Sequence, residues 1–180
     1  SNQTFVSIAA GMPLQRIEAV LPQRAVVIRA MPNTPALVQR GVTALARGLC
    51  ARDTDVHLAR DLFLAAGKVI EVKEELMNIV TALSGSGPAY VFYVMEAMIE
   101  AGVAHGLSDA DARMLVEETI RGAGELAARL HDDPQHLRRR VTSPGGTTEA
   151  AIAVLDRQAV KQAMAEAISA AVARGRELGA

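Results

Sequence analysis

The pattern of apolar residues changes once along the chain, close to residue 74, and this change constrains the fold more than any other feature. Before it, short β-branched runs alternate with stretches of helical spacing, which is typical of α/β structure. After Glu74 the apolar residues follow helical spacing only. We therefore predict a predominantly helical chain, with an α/β domain over residues 1–73 and an all-helical domain over residues 74–180.

Apolar spacing and the intervening glycines and prolines predict the individual elements. Strands are expected at residues 4–9, 25–29, 42–46 and 68–72, and helices at residues 14–21, 53–66, 76–83, 90–99, 108–130, 150–155 and 160–172. The prolines of residues 31–35 are expected to exclude helix there. The helix over residues 53–66 has an apolar stripe formed by Val56, Ala59, Leu62 and Phe63. Two ion pairs between residues four apart are expected on a later helix, Glu117–Arg121 and Glu125–Arg129.

The helix predicted over residues 90–99 is apolar on nearly every face. A helix of this kind is buried, either within its own domain or between subunits. Aromatic residues make up only 3% of the chain, so small aliphatic side chains must fill the core, and they allow helices to approach closely. We predict a homodimer formed through the helical domain.

Charge and cysteine content exclude several classes of protein. A net charge of −1 gives no argument for binding nucleic acid or an anionic membrane, and the triplet 138–140 of arginines is interpreted as a solvated helix face. The single cysteine, Cys50, excludes an intrachain disulfide and fits a reducing compartment. No signal-peptide pattern and no apolar run of 18 residues occurs, so a cytoplasmic location is expected. The four histidines lack metal-ligand spacing, and we predict no metal site.

Residues 142–149, with the sequence TSPGGTTE, run directly into a predicted helix. Two adjacent glycines leave backbone amides uncovered, and the hydroxyls of Ser143, Thr147 and Thr148 surround them. Amides at a helix N-terminus bind small anions such as carboxylate or phosphate. The alternative interpretation is a loop that only caps the helix.

Three segments of the chain resemble the pyrroline-5-carboxylate reductase family. They are residues 29–36 (RAMPNTPA), 81–90 (TALSGSGPAY) and 137–156 (LRRRVTSPGGTTEAAIAVLD), in the order and at the spacing of that family. The resemblance covers essentially all 180 residues and corresponds to the carboxy-terminal two-thirds of such an enzyme. It implies that residues 1–73 are the last part of a Rossmann-type domain, whose Gly-x-Gly-x-x-Gly turn is not in this sequence. We therefore expect a piece of a longer protein that does not bind a nicotinamide cofactor tightly alone.

The resemblance also implies an activity and residue roles. The family reduces the cyclic imino acid 1-pyrroline-5-carboxylate to proline with NADPH or NADH, and forms dimers that assemble further. Thr148 and Thr81 are the hydroxyls expected nearest the imine nitrogen. The substrate carboxylate is expected at Ser143, Gly145, Gly146, Thr147 and Thr148. The cofactor is expected at Ala10, Gly11, Met31, Pro32, Asn33, Thr34, Ser84 and Gly85.

Each of these segments has a purely structural alternative. Residues 31–35 are also explained by a rigid turn, and residues 84–87 by a turn before a helix. Two other functions stay open from the sequence. One is a noncatalytic helical dimerisation module, and the other is a related two-domain reductase acting on a different carboxylate-bearing imine or oxo acid.

Overall fold

The computed structural model describes residues 3–179 and has a small sheet followed by helices, as predicted. The strands are β1 (Thr4–Ser7), β2 (Val26–Met31), β3 (Gly41–Arg47) and β4 (Gly67–Glu71). The α-helices are α1 (Leu14–Ala19), α2 (Asp53–Leu64), α3 (Met77–Val80), α4 (Gly87–Ala104), α5 (Asp109–Leu130), α6 (Pro134–Arg140), α7 (Thr147–Arg157) and α8 (Val160–Gly179). Short 3-10 helices span Thr34–Val38 and Glu74–Leu76, and a π-helical turn spans Thr81–Gly85.

The four strands lie in the order in which they occur in the chain. β1 pairs with β2 in parallel, β2 with β3 antiparallel, and β3 with β4 in parallel. β1 and β2 therefore end at one edge of the sheet, where β3 and β4 begin. The antiparallel pairing lets a 3-10 helix and a short turn connect β2 to β3 without a crossover helix.

Both faces of the two central strands are covered, which explains why β2 and β3 are buried on consecutive residues. α2 covers one face, where the buried residues are Ile28, Ala30, Leu45, Val56, Ala59 and Val69. α1 and α3 cover the other face, where they are Leu14, Val27, Ala44, Ala46 and Met77. Arg29 is the charged residue inside this otherwise apolar strand β2, and only 4% of its surface is exposed.

The chain forms two compact units. One comprises the residues up to Ala89 together with those from Ala165 onward, and the other comprises Tyr90–Met164. Residues 74–89 belong with the sheet because Met77 and Ala82 are completely buried there. The division in space thus differs from the change in sequence pattern at residue 74, and a domain boundary at residue 74 remains a prediction.

Three details differ from the sequence-based expectations. Pro35 lies in the first turn of the 3-10 helix Thr34–Val38, where a missing N–H costs nothing, so the prolines do not exclude helix. In α2, Val56 and Ala59 are buried as predicted, but Leu62 is 64% exposed. Arg121 pairs with Glu118, three residues before it, instead of Glu117.

Within residues 87–104 no side chain of α4 is buried in the single chain. Phe92 is 57% exposed and Tyr93 is 74% exposed. On α5 the residues Ala112 and Val116 are buried. The apolar surface of α4 is therefore not covered within one copy, and its burial between subunits stays a prediction.

Candidate functional site

The residues predicted to contact the cofactor follow the ends of β1 and β2, and both strands end at the same edge of the sheet. Ala9 and Ala10, just after β1, are exposed and carry only methyl side chains. Met31, Pro32 and Asn33 end β2 and follow it, and all three are partly buried. In open α/β sheets, ligands bind outside the carboxyl ends of the strands.

Asn33 joins this edge to the turn over residues 81–85. Its amide nitrogen donates to the backbone carbonyl and the hydroxyl of Ser84, both at 3.3 Å. Its amide oxygen accepts the backbone N–H of Val42, the second residue of β3, at 2.9 Å. The Asn33 side chain, which is predicted to contact the cofactor, thus already bonds to protein through both its amide nitrogen and its amide oxygen. It positions the Ser84 turn.

Gly85 and Met31 are in close contact at the same edge. A Cβ atom on Gly85 would lie 2.6 Å from the methyl carbon of Met31, so a side chain there would displace the end of this flexible methionine. Thr81 begins the turn, and its hydroxyl donates to the Met77 carbonyl at 2.8 Å. Because its hydrogen is used in this way, the Thr81 oxygen is left as an acceptor.

Gly11 has a structural reason to be glycine. It is buried with a φ of +75°, and a Cβ atom there would lie 2.8 Å from the Cβ atom of Leu178 on α8. The missing side chain lets the end of α8 pack on the turn after β1. Contact of Gly11 or the exposed Thr34 with a cofactor stays a prediction.

Sequence reasoning missed a buried ion pair beneath these segments. The Arg29 guanidinium lies 2.7 Å from Glu74 Oε1, and only 5% of the arginine side chain is exposed. The same oxygen accepts the backbone N–H of Leu14 at 3.1 Å. The signal available in the sequence was a charged residue inside the apolar strand β2, which requires a partner of opposite charge.

The glycine–threonine loop lies in the second compact unit and leads into α7. Gly145 has a φ of +70°, which favours glycine, and Gly146 is the N-cap residue of α7. The Gly146 amide donates to the Ser143 carbonyl at 3.0 Å. Ser143 and Thr147 are exposed, and Thr148 is partly buried.

A carboxylate already binds in this loop. Glu149, in the first turn of α7, reaches back so that its Oε2 accepts the Gly145 amide at 2.7 Å. The geometry of the loop therefore suits a carboxylate, although the one present belongs to the protein. The amides of the first turn of α7 lack acceptors within the helix, which leaves donors for a second anion.

The predicted site residues fall in both compact units. Thr81 and the predicted cofactor residues lie in the first unit, whereas Ser143, Thr148 and the rest of the loop lie in the second. Joint action of Thr81 and Thr148 on one imine stays a prediction.

Within residues 3–179, no three His, Cys, Asp or Glu side chains lie close enough together to hold a metal ion. No helix in this range is both long and apolar enough to cross a membrane.

Comparison with known proteins gives a consistent family. The family model described as pyrroline-5-carboxylate reductase dimerisation matches residues 74–178. The pyrroline-5-carboxylate reductase of Synechocystis sp. is 45% identical over 174 residues, which is 97% of this chain and 65% of that relative. The chain thus spans about two-thirds of the length of the curated relatives that it matches.

Two solved structures of the same family match nearly the whole chain. The structure of a pyrroline-5-carboxylate reductase from Coxiella burnetii is 39% identical with a TM-score of 0.94, and the match covers all of this chain and 68% of that one. The Plasmodium falciparum pyrroline carboxylate reductase, solved with NADP bound, is 32% identical with a TM-score of 0.93, and the match covers 99% and 72% of the two chains.

Proposed function

The chain belongs to the pyrroline-5-carboxylate reductase family, and from this premise we propose that the complete protein reduces 1-pyrroline-5-carboxylate to proline with NADPH or NADH. The observation that carries the proposal is the loop over residues 143–148. It combines two glycine amides that no side chain covers, three hydroxyls and the start of α7. Its Gly145 amide donates to the carboxylate of Glu149 at 2.7 Å. A small carboxylate-bearing substrate requires this set of donors.

The loop would hold the substrate carboxylate through charge-assisted hydrogen bonds. Each such bond contributes about 1.5–3 kcal/mol. Ser143 and Thr147 are exposed and can offer hydroxyl donors, and the Thr147 amide lies at the positive end of α7. The Gly146 amide, which donates to the Ser143 carbonyl, would have to turn from that oxygen to the substrate. Binding at the Gly145 amide requires that the carboxylate of Glu149 leave it.

The nicotinamide cofactor, when bound, supplies the hydride. The sheet edge fits the nicotinamide end of such a molecule because Ala9 and Ala10, which follow β1, are small and exposed, and because Asn33, which follows β2, fixes the Ser84 turn. We assign cofactor binding to Ala10, Gly11, Met31, Pro32, Asn33, Thr34, Ser84 and Gly85.

Thr81 and Thr148 would orient the imine nitrogen. A threonine hydroxyl is a poor acid at neutral pH, so neither residue is assigned the role of outright proton donor. Since the Thr81 hydroxyl already donates to Met77, its oxygen suits the N–H of a protonated imine. Thr148 would act from the substrate loop.

A homodimer completes the proposal. The family model that matches residues 74–178 is a dimerisation domain, and α4 leaves apolar side chains exposed in one copy. Assembly of dimers into a larger oligomer and a cytoplasmic location are also proposed. The location is supported by Cys50, the single cysteine, which is exposed and free.

The test is imine-dependent oxidation of NADPH by the complete protein, with proline identified as the product by chromatography. We expect Ser143→Ala to raise KM for the imine by roughly tenfold, which corresponds to the loss of about 1.4 kcal/mol, with little change in KM for NADPH. The matched control is Ser169→Ala, because that hydroxyl bonds to the Ala165 carbonyl of its own helix. A protein that dimerises without this activity would be a noncatalytic module, and preference for another imine or oxo acid would identify a different substrate.

A further inference from the structure

Arg29 and Glu74 form an ion pair that lies beneath the segments assigned to the cofactor. Arg29 Nη1 lies 2.7 Å from Glu74 Oε1, and 5% of the arginine side chain and 33% of the glutamate side chain are exposed. Removing the glutamate would leave the buried charge of Arg29 without a partner, which is costly. The position of both residues is therefore firmly determined by each other.

Glu74 is linked to all three of the cofactor segments, to two of them by hydrogen bonds of its Oε1 and to the third through the backbone. Leu14, whose amide Oε1 accepts at 3.1 Å, begins α1 directly after the turn over residues 9–13. Arg29, whose guanidinium donates to the same oxygen, lies on β2 two residues before Met31. Glu74 itself begins the 3-10 helix that continues through α3 to the turn over residues 81–85. A change in the position of Glu74 would therefore act on the base of each segment.

The far ends of two of these segments are joined as well. Asn33, after β2, donates to Ser84 in the π-helical turn, and Met31 contacts Gly85. The stretch from residue 74 to residue 85 is thus fixed to β2 at both of its ends, by the ion pair at the start and by Asn33 at the finish.

Stability alone does not explain the pair. The second oxygen of Glu74, Oε2, is buried and has no hydrogen-bond partner within residues 3–179. An ion pair that leaves a buried oxygen unpaired stabilises a fold less well than apolar residues of similar volume. An apolar pair would not provide the directional bonding through which Glu74 is linked to all three turns.

We propose that Arg29 and Glu74 are positioning residues that set the affinity for the nicotinamide cofactor, by holding the turns over residues 9–13, 31–34 and 81–85 in one arrangement. This inference rests on the proposed function for the cofactor and concerns residues outside the assigned contacts. Neither side chain is assigned to touch the cofactor or the imine.

The experiment compares Glu74→Gln, Arg29→Met and Arg29→Lys in the complete protein. Titration with NADPH gives Kd directly, and steady-state kinetics give KM for the imine. We expect Glu74→Gln and Arg29→Met to weaken NADPH binding by roughly tenfold, with a smaller rise in KM for the imine, because Thr81 of the third turn is also assigned to orient the imine. Arg29→Lys keeps the charge and should recover part of the affinity, and it also serves as the folded variant if the others do not fold.

The matched control is the pair Arg47–Glu71, which has the same 2.7 Å separation but lies at the opposite edge of the sheet. Arg47→Met and Glu71→Gln should leave Kd for NADPH unchanged even where they lower Tm. Hydrogen exchange provides a second readout, since Glu74→Gln should speed exchange in all three turns together and Glu71→Gln should not.

The outcomes separate the two proposals. An unchanged Kd and unchanged exchange in Glu74→Gln, with a lower Tm, would show that the pair only stabilises the fold and would overturn the inference. Loss of imine reduction in the unmutated protein with NADPH binding intact would contradict the proposed reaction alone. Absence of NADPH binding in the unmutated protein would overturn both.

Discussion

Individual glycines serve different purposes in this chain, and only the structure separates them. Gly11 leaves room for Leu178, whereas Gly145 has open space around the position of a Cβ atom and is required for its φ of +70°. Gly146 has an ordinary backbone, but a Cβ atom there would lie 3.0 Å from the Ser143 carbonyl oxygen. These distinctions predict different results for similar substitutions.

In the substrate loop, the two glycines should respond differently to substitution. Gly146→Val places a branched side chain against the Ser143 carbonyl, and we expect kcat/KM for the imine to fall more than about 100-fold. Gly145→Ala meets no atom within 4 Å and costs only the left-handed backbone, about 1–2 kcal/mol, so its loss should be about tenfold or less. Steady-state kinetics check both, and wild-type kinetics for Gly146→Val would show that the loop is only a helix cap.

Gly11→Ala tests the packing of α8 on the turn after β1. The substitution adds a Cβ atom 2.8 Å from that of Leu178 and forces alanine into a φ of +75°. We expect a loss of about 2–4 kcal/mol in the free energy of unfolding, measured with urea. Leu178→Ala would not relieve this contact, because alanine keeps the Cβ atom. Leu178→Gly removes that atom, so Gly11→Ala should cost less in a Leu178→Gly background than in the unmutated protein. An equal cost in both backgrounds would mean that backbone strain is the whole cost.

At the scale of elements, the start of α2 predicts how stability depends on pH. The Asp55 carboxylate accepts the Arg52 backbone N–H at 3.0 Å, and this bond is the main cause that lowers the pKa of Asp55. Burial opposes this bond with the second-largest effect, and the Arg52 guanidinium and the Thr4 hydroxyl each lower the pKa further. A lowered folded pKa means that the ionised carboxylate stabilises the fold above the unfolded pKa of about 3.9, and that this contribution is lost as pH falls through the folded pKa.

Asp55→Asn should therefore lower the free energy of unfolding at pH 7, and the difference from the unmutated protein should shrink below about pH 3. Urea unfolding at the two pH values measures it. Asp61→Asn, at an exposed position of the same helix, is the control and should have little effect at either pH. A penalty for Asp55→Asn that does not depend on pH would show that the charge of Asp55 contributes nothing.

Most elements could be predicted from sequence because their signals are local. Apolar spacing and glycine or proline stops placed all four strands and the helices that flank them. The exposed Leu62 was mispredicted because periodicity indicates one helix face, while the width of the sheet decides how much of that face is covered. The 3-10 helix over Pro35 was missed because a proline is tolerated in a first turn.

The site was less predictable than the fold, because residues that bond to one another there are far apart along the chain. The loop at residues 143–148 is a contiguous motif, so its glycines and hydroxyls could be recognised directly. The bonds from Asn33 to Ser84 and from Arg29 to Glu74 join residues 51 and 45 positions apart. Nothing in local sequence specifies such partners, since a buried arginine predicts only that some acid lies near it.

At the scale of the whole molecule, the compact units cut across the sequence pattern. The chain changes from alternating to helical near residue 74, yet residues 74–89 and the end of α8 pack with the sheet unit. Two glycines allow the end of α8 to pack in this way. Gly11, after β1, lies against Leu178 of α8, and Gly175 of α8 lies against Asn78, and neither glycine has a side chain that would block the contact. A boundary read from periodicity therefore marks where secondary structure changes, and does not need to mark where packing changes.

Association through α4 is the prediction at this scale. Phe92 and Tyr93 expose 57% and 74% of their surface in a single copy, and the match to a dimerisation family includes all of α4. We expect the unmutated protein to be a dimer at low micromolar concentration by analytical ultracentrifugation. Phe92→Glu adds a charge that would have to be buried in the dimer, so we expect the dimer Kd to rise more than about 100-fold.

Three comparisons decide whether Phe92→Glu acts on the interface. Leu62→Glu, at a 64% exposed position of α2, is the matched control and should remain dimeric with unchanged Kd. Circular dichroism should show the same helix content in both variants, because neither Phe92 nor Leu62 is buried in one copy. Met95→Glu, at a partly buried position one turn away, should also dissociate the dimer. A well-folded monomer of the unmutated protein, or a Phe92→Glu variant that dimerises as tightly as the control, would show that the exposed face of α4 is not the interface.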